Sequence, residues 1–372
     1  MSKLFEPLRL RDLTLANRIM VSPMCQYSAA DGSATDWHRA HLGSLALSGA
    51  GLLCLEATHV SAVGRITPGC LGLYSDANEA ALAPILRMIR AASPIKVGVQ
   101  LAHAGRKGSS RPPWEGGKLL PVEDGGWVHE APSALPHADG ERPPRALSLD
   151  DIAAVRQRFV ASARRVARLG FDAIELHFAH GYLVHQFLSP VSNRREDAYG
   201  GSFDNRVRVA LEIFDAVRDV FPQHLPVGVR VSATDWLDEQ PSWDLPQTIE
   251  LVRLLKARGC DWADVSSGGV SPHQKIALGP GYQVPFAEAV RAATGLPTIA
   301  VGLITEPHQA EEIVAGGKAD MVALARAMLY DPRWPWHAAA ALGGTVVGPK
   351  QYWRSLPRAA GKIFGDISFG QR

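Results

Sequence analysis

The run Ile174-Glu175-Leu176-His177-Phe178-Ala179-His180-Gly181-Tyr182 opens as a strand and closes as a turn. Its first half is apolar and of strand length, and Gly181 marks the turn. Side chains alternate along a strand, so Glu175 and His177 share one face while Ile174 and Leu176 share the other. His177, His180 and Tyr182, three groups able to donate or relay protons, therefore gather at the strand's C-terminal end. In a parallel barrel that end is where chemistry is done. Histidines this close also suit a metal or a satisfied core. No HExxH or paired CxxC accompanies them, and a strand end does not make the one-helix-face pair of zinc proteases. Two imidazoles donating to one substrate oxygen, with a phenol alongside, is the stronger reading.

Working outward, short apolar runs alternate with helical patterns. The expected strands are Arg18–Val21, Gly51–Val60, Lys96–Ala102, Ala173–Ala179, Pro226–Ala233, Trp262–Ser267, Pro297–Leu303 and Met321–Ala327. Ser148 with Asp151 predicts a capping box; Ile152, Val155, Phe159 and Val166 form the buried stripe, and Gly170 ends that helix. Asp244 with Pro246 opens a second helix that runs to Gly259. Thr305 is expected to open a third that ends near Gly316, and Pro332 to Leu342 makes the last. Alternation of this kind implies a parallel sheet, and eight units in this length imply an α/β fold, a single (β/α)8 TIM barrel. A doubly wound sheet is weaker because no GxGxxG follows a strand.

Two regions stand outside the repeat. Residues 104–147 are rich in Gly, Pro, Trp and charge, the mark of a long lid or binding wall after the third strand. Residues 1–343 are thus expected to form the barrel and 344–372 a C-terminal tail.

The 372 residues are 46% hydrophobic, enough for a large core, and the formal charge of +2 disfavours nucleic acid as a partner. No apolar run approaches bilayer length, and the N-terminus lacks a signal-like apolar stretch, so no membrane partner is expected. Cys25, Cys54, Cys70 and Cys260 are far apart, which points to reduced thiols and a cytoplasmic location.

Several stretches together carry a resemblance. They are Pro23-Met24-Cys25-Gln26-Tyr27, Gln100-Leu101-Ala102-His103-Ala104-Gly105-Arg106-Lys107, the central His177–Tyr182 run, Asn193-Arg194-Arg195-Glu196-Asp197-Ala198-Tyr199-Gly200-Gly201-Ser202 with Asn205-Arg206, and Gln351-Tyr352-Trp353-Arg354. In this order and spacing the whole chain resembles the Old Yellow Enzyme family, in particular its thermophilic-like branch with bacterial xenobiotic reductases. The resemblance implies FMN bound in the barrel, reduction by NADPH or NADH, and reoxidation by an α,β-unsaturated carbonyl. It assigns Arg230 to the negative pole of reduced flavin and Gln100 to the pyrimidine edge. Ser22, Pro23, Met24, Cys25 and Ala57 would line the flavin. Val301, Gly302, Ala325 and Arg326, after the seventh and eighth strands, would hold its phosphate. His177 and His180 would grip the substrate carbonyl, Tyr182 would protonate the α-carbon, and Tyr27 would add a hydroxyl. Cys25 would tune the flavin without covalent chemistry, while the other cysteines suit buried packing. The tail would cross a homodimer or dimer-based interface and place Arg354 in the neighbour's pocket, with Trp353 narrowing the substrate side.

Relatives with an iron–sulfur cluster and a further dinucleotide domain need cysteines after the barrel, and none follows Cys260. A cofactor-free phosphosugar isomerase or aldolase would share the barrel but leaves Gln100, Arg230 and the histidine pair unexplained.

Overall fold

A computed structural model describes residues 2–367. Eight parallel strands close a barrel in strict sequence order: β1 Ile19–Val21, β2 Leu52–His59, β3 Lys96–Ala102, β4 Ala173–Phe178, β5 Val227–Ser232, β6 Ala263–Ser266, β7 Thr298–Ala300 and β8 Met321–Leu324. Each lies inside its expected run. The ladders are shorter because the flanking residues, such as Val301 to Leu303, leave the sheet to form the loops that carry the site. Helices α1 Asp36–Ala46, α2 Asp76–Ala92, α3 Leu149–Leu169, α4 Phe203–Val220, α5 Leu245–Ala257, α6 Val284–Thr294, α7 Pro307–Ala315 and α8 Trp334–Leu342 alternate with them. The α3 capping box forms as the sequence predicts, with Ser148 accepting from the Asp151 N–H, and Gly170 closes the helix at φ 75°. The start of α7 differs: Glu306, not Thr305, is its N-cap. Thr305 instead gives its carbonyl to the Trp334 indole at 2.6 Å.

A small hairpin, Leu8–Leu10 against Leu13–Leu15, was not expected. Its leucines pack on Met20, Leu52, Ala173, Trp262, Ile299 and Met321, stoppering the barrel's lower interior with apolar side chains. Arg11 at the hairpin's tip clasps Asp261 at 2.7 and 2.8 Å. Ionisable groups occupy the upper interior, so the barrel is apolar below and polar where the strands end.

The long segment 104–147 carries only 3-10 turns and the two-residue pair Glu130–Ala131 with Arg145–Ala146. The tail packs at the opposite, N-terminal face. There Val346, Ile363 and Phe364 join Phe5, Trp336 and Ala339 in a satellite apolar cluster. Of the expected tail, 368–372 lie outside the described residues.

Candidate active site

Residues on neighbouring strands build the upper interior. The register sets Gln100 beside Glu175, and His177 beside Arg230, which in turn pairs with Asp264. The Gln100 amide donates to Glu175 Oε1 at 2.8 Å and the Trp262 indole to Oε2 at 3.3 Å. Arg230 lies 3.3 Å from Asp264 and donates to Ser22 Oγ at 3.2 Å. Arg230 is therefore both an ion-pair partner and a cation at the mouth. Burial lifts Glu175 to about 7, aided by Asp264 and opposed by Arg230. Burial raises Asp264 too. Two acids share one arginine, so the interior holds less negative charge near neutrality than its carboxylates suggest.

Past β4 the chain reverses sharply. His180 sits at φ 59° and Gly181 at φ 71°. A Cβ on Gly181 would lie 2.0 Å from the Gly269 carbonyl oxygen, so only glycine fits there. The turn is fixed from behind by a fully buried pair. The Gly181 N–H donates to His185 Nδ1 at 2.8 Å, and His185 Nε2 faces Asp235 Oδ1 at 2.9 Å. Because Nδ1 accepts, Nε2 carries the imidazole proton and faces the carboxylate as a close polar contact, not as an aligned hydrogen bond. The other Asp235 oxygen accepts from Ser189 Oγ at 2.6 Å and the Trp243 N–H at 2.8 Å.

This turn brings the rings of His177, His180 and Tyr182 together, with centroids 5.1 Å and 4.9 Å from His177. Burial holds both imidazoles well below their usual range, with Arg230 adding to the effect, and pushes the Tyr182 phenol well above its own. All three are neutral donors near pH 7. His177 Nδ1 accepts from the Ala179 N–H at 3.3 Å, which leaves Nε2–H to donate. Ser266 Oγ lies 2.7 Å from His180 Nε2 and 3.3 Å from Gln283 Oε1, an oxygen that also accepts from Ser267 at 2.6 Å. The His180 tautomer follows the Ser266 hydroxyl: when that hydroxyl donates to Nε2, the His180 proton sits on Nδ1. His177 keeps its Nε2–H for a ligand in either case.

The remaining positions fall into two groups. Arg230, Ser266, Gln283, Gly302, Ala325 and Arg326 line a cavity of about 190 Å3 at the ends of β7 and β8, and Val301 lines it too. Gly302, at φ 117°, presents backbone there, and Arg326 supplies a cation. This donor set fits a phosphate. Across the barrel, Cys25, Tyr27 and Tyr182 pack around Ile66, Cys70 and Ala104. Ser22, Pro23 and Met24 connect β1 to this wall. Ala57 follows a bulge in β2, which turns Glu56 toward the Gln26 N–H at 3.1 Å and His38 at 3.3 Å. Tyr27 meets Trp114 of the long loop edge-on at 5.5 Å. Cys70 is more than apolar filling: Thr67 approaches its sulfur with N and Oγ1, each at 3.3 Å. A hydrogen bond to Cys70 raises the Cys25 thiol well above its usual range, with burial adding, which keeps Cys25 a protonated thiol.

Trp353 and Arg354 are not brought to this cavity within one chain. They lie on a 3-10 turn, Lys350–Ser355, where Trp353 donates to the Gly348 carbonyl at 3.2 Å and Tyr352 meets Trp336 at the N-terminal face. Sequence reasoning did not single out Ser266, His185, Asp235 or Glu56. Their only signal was a polar residue set in an apolar run, which also describes a satisfied core group. Among the described residues, no cluster of three or more His, Cys, Asp or Glu is placed to hold a metal ion.

Residues 3–343 match the NADH:flavin oxidoreductase / NADH oxidase family. A Gibberella zeae NADH:flavin oxidoreductase is 46% identical over 347 residues, covering 89% of this chain and 84% of that protein. An NADPH dehydrogenase of Geobacillus sp. (strain WCH70) is 44% identical, covering 94% and 98%. Morphinone reductase superposes with a TM-score of 0.77 at 28% identity, covering 96% of this chain and 93% of its own. No helix of the described residues is long and apolar enough to cross a membrane. The chain thus belongs to the NADH:flavin oxidoreductase / NADH oxidase family, as a flavin oxidoreductase with FMN as cofactor and a reduced nicotinamide nucleotide as hydride donor.

Proposed function

We propose that the protein is an ene-reductase acting on α,β-unsaturated carbonyls and related xenobiotics. The observation that carries this reading is the neutral donor cluster of His177, His180 and Tyr182 at the end of β4. Bound FMN supplies a hydride store that a nicotinamide nucleotide fills and a substrate empties. Ser22, Pro23, Met24, Cys25 and Ala57 line it, and Gln100 offers its Oε1 to the pyrimidine edge because its N–H is given to Glu175. Arg230 balances negative charge on the ring, while Val301, Gly302, Ala325 and Arg326 take the phosphate.

His177 Nε2–H and His180 Nδ1–H hold the carbonyl oxygen and stabilise the enolate that forms as the β-carbon is reduced. Tyr182 delivers a proton to the α-carbon, and Tyr27 steers the substrate. Purified protein should be yellow, bleach anaerobically with NADPH, and recover colour on adding cyclohexenone. Bleaching without recovery would leave a flavin reductase that does not act on enones.

The protein works as a homodimer, or an oligomer built from dimers, in a cytoplasmic setting that keeps its four thiols reduced. The tail from 344 carries Trp353 and Arg354 into a neighbour's substrate pocket. Support comes from its place on the N-terminal face, away from its own cavity. Mixing His180→Ala with Arg354→Ala subunits should restore one intact site per mixed dimer. If Arg354→Ala alone is impaired and mixing restores nothing, the sites are not shared.

A further inference from the structure

Lys107 is a half-buried cation that no step above employs. It follows β3 in the turn Gly105–Lys107, and its ammonium donates to the His180 carbonyl at 2.9 Å and the Gly269 carbonyl at 3.1 Å. These bonds join the catalytic turn after β4 to the loop after β6. The same nitrogen stands 5.1 Å from the centre of the Tyr182 ring. Among the described residues no ion pair joins it to a carboxylate, and its bonds go to the two loop carbonyls instead. Such an arrangement stabilises a negative charge that appears only during reaction.

We infer that Lys107 is a positioning residue for proton transfer by Tyr182: its ammonium, clamped between two loop carbonyls and lying against the ring, stabilises the phenolate that develops as the phenol gives up its proton. This rests on the reading of Tyr182 as the proton donor. The Tyr182 O–H bond breaks as the C–H bond at the α-carbon forms. The enolate's charge passes to the phenol oxygen, and a proton from water restores the phenol after product leaves. Burial makes the phenol a reluctant acid, which the Arg230 cation opposes. With the ammonium about 5 Å from the ring centre, a full phenolate would gain about fourfold to a few hundredfold over the range of effective dielectric, so a half-formed one gains about twofold to fifteenfold.

The charged and titratable neighbours make the lysine's contribution separable. Arg106 shares its turn, His137 approaches from the long loop, and His177, His180 and Tyr182 face it from the end of β4; the loop after β6 offers the Gly269 carbonyl. His137 is pushed down to about 3 by burial and by Lys107 and Arg106, and the other two histidines lie well below their usual range. Lys107 is lowered to about 8, by burial first and then by Arg106. It is charged below that pH and neutral above it.

The test compares Lys107→Gln and Lys107→Arg in the FMN-loaded enzyme. Glutamine keeps N–H donors for the two carbonyls without charge; arginine keeps charge at every pH. In stopped-flow with a poor enone, wild-type reoxidation should fall by about twofold to fifteenfold as pH rises through about 8. The Gln variant should be slow and flat across this range, and the Arg variant faster and flat. Reduction by NADPH should change little in either. Lysine 13Cε NMR should show a resonance titrating near pH 8 that is lost in Lys107→Gln. Adding Lys107→Gln to Tyr182→Phe should cost nothing further. If Tyr182→Phe slows reoxidation but Lys107→Gln keeps the wild-type rate and pH profile, this inference fails alone. If Tyr182→Phe has no effect, the donor assignment fails first. Should neither lysine variant fold, absence of a lysine titrating near pH 8 in the wild type would itself refute the inference.

Discussion

Replacing Asp235 by asparagine should destabilise the protein by about 2 kcal/mol, and the cost is set by hydrogen-bond direction rather than by size. Ser189 Oγ–H and the Trp243 N–H bond one oxygen of the carboxylate, and His185 Nε2–H faces the other at 2.9 Å. Asparagine offers one oxygen and one NH2. If its oxygen faces His185, the NH2 meets Ser189, which can rotate to accept, and the Trp243 N–H, which cannot. If instead its NH2 faces His185, the imidazole must move its proton to Nδ1 and confront the Gly181 N–H. Either way one buried backbone N–H loses its acceptor, at about 1–3 kcal/mol. Alanine orphans all three donors and breaks a fully buried pair, so about 3–5 kcal/mol is expected. Both are large fractions of a typical stability of about 5–15 kcal/mol. Urea unfolding followed by far-UV circular dichroism should give midpoints falling in the order wild type, Asn, Ala, with unchanged slope. The Asn variant should also bind phenols more weakly, because Gly181 anchors the turn that carries His180. A cost below about 0.5 kcal/mol for Asn, with phenol affinity intact, would refute this account of the pair.

Tyr182→Phe should leave flavin reduction by NADPH nearly unchanged and slow reoxidation by poor enones; equal slowing of both half-reactions in stopped-flow would reject its role. His177→Ala should weaken binding of a phenolate inhibitor by about 1.5–3 kcal/mol, read from loss of the long-wavelength band during titration. Glu130, held down to about 2 by His103 and Arg145, should matter in acid. Its folded pKa lies below the unfolded one, so its stabilisation is present above about pH 4.5 and fades toward pH 2. Glu130→Gln should flatten that limb of an acid-unfolding curve, and an unaltered limb would deny the ion pair a role.

The barrel was legible because each buried strand is a short apolar run and α3 and α5 carry their caps in sequence. The hairpin at residues 8–15 escaped notice, since three-residue strands with a single alternation resemble any loop. The positions of His177, His180 and Tyr182 followed from alternation plus one glycine. Their supporting residues did not: Asp235 comes from the loop after β5 and Ser266 from the end of β6, and only closure of the barrel sets them against His185 and His180. Nor does sequence reveal direction. Which His180 nitrogen carries the proton depends on where the Ser266 hydroxyl points, which no motif encodes.

The stopper at the barrel's lower end also orders events in time. Residues 8–15 leave the ribosome before the strands they close, and their partners come late. Arg11 clasps Asp261 and the carbonyls of Gln223 and Gly259, while Ser2, Lys3 and Leu4 all bond to Glu311. This stretch must wait, leucines exposed, until nearly all the strands exist to receive it. During that interval Leu10, Leu13 and Leu15 are open to wrong partners, so a cell short of chaperones should lose this protein through residues 8–15.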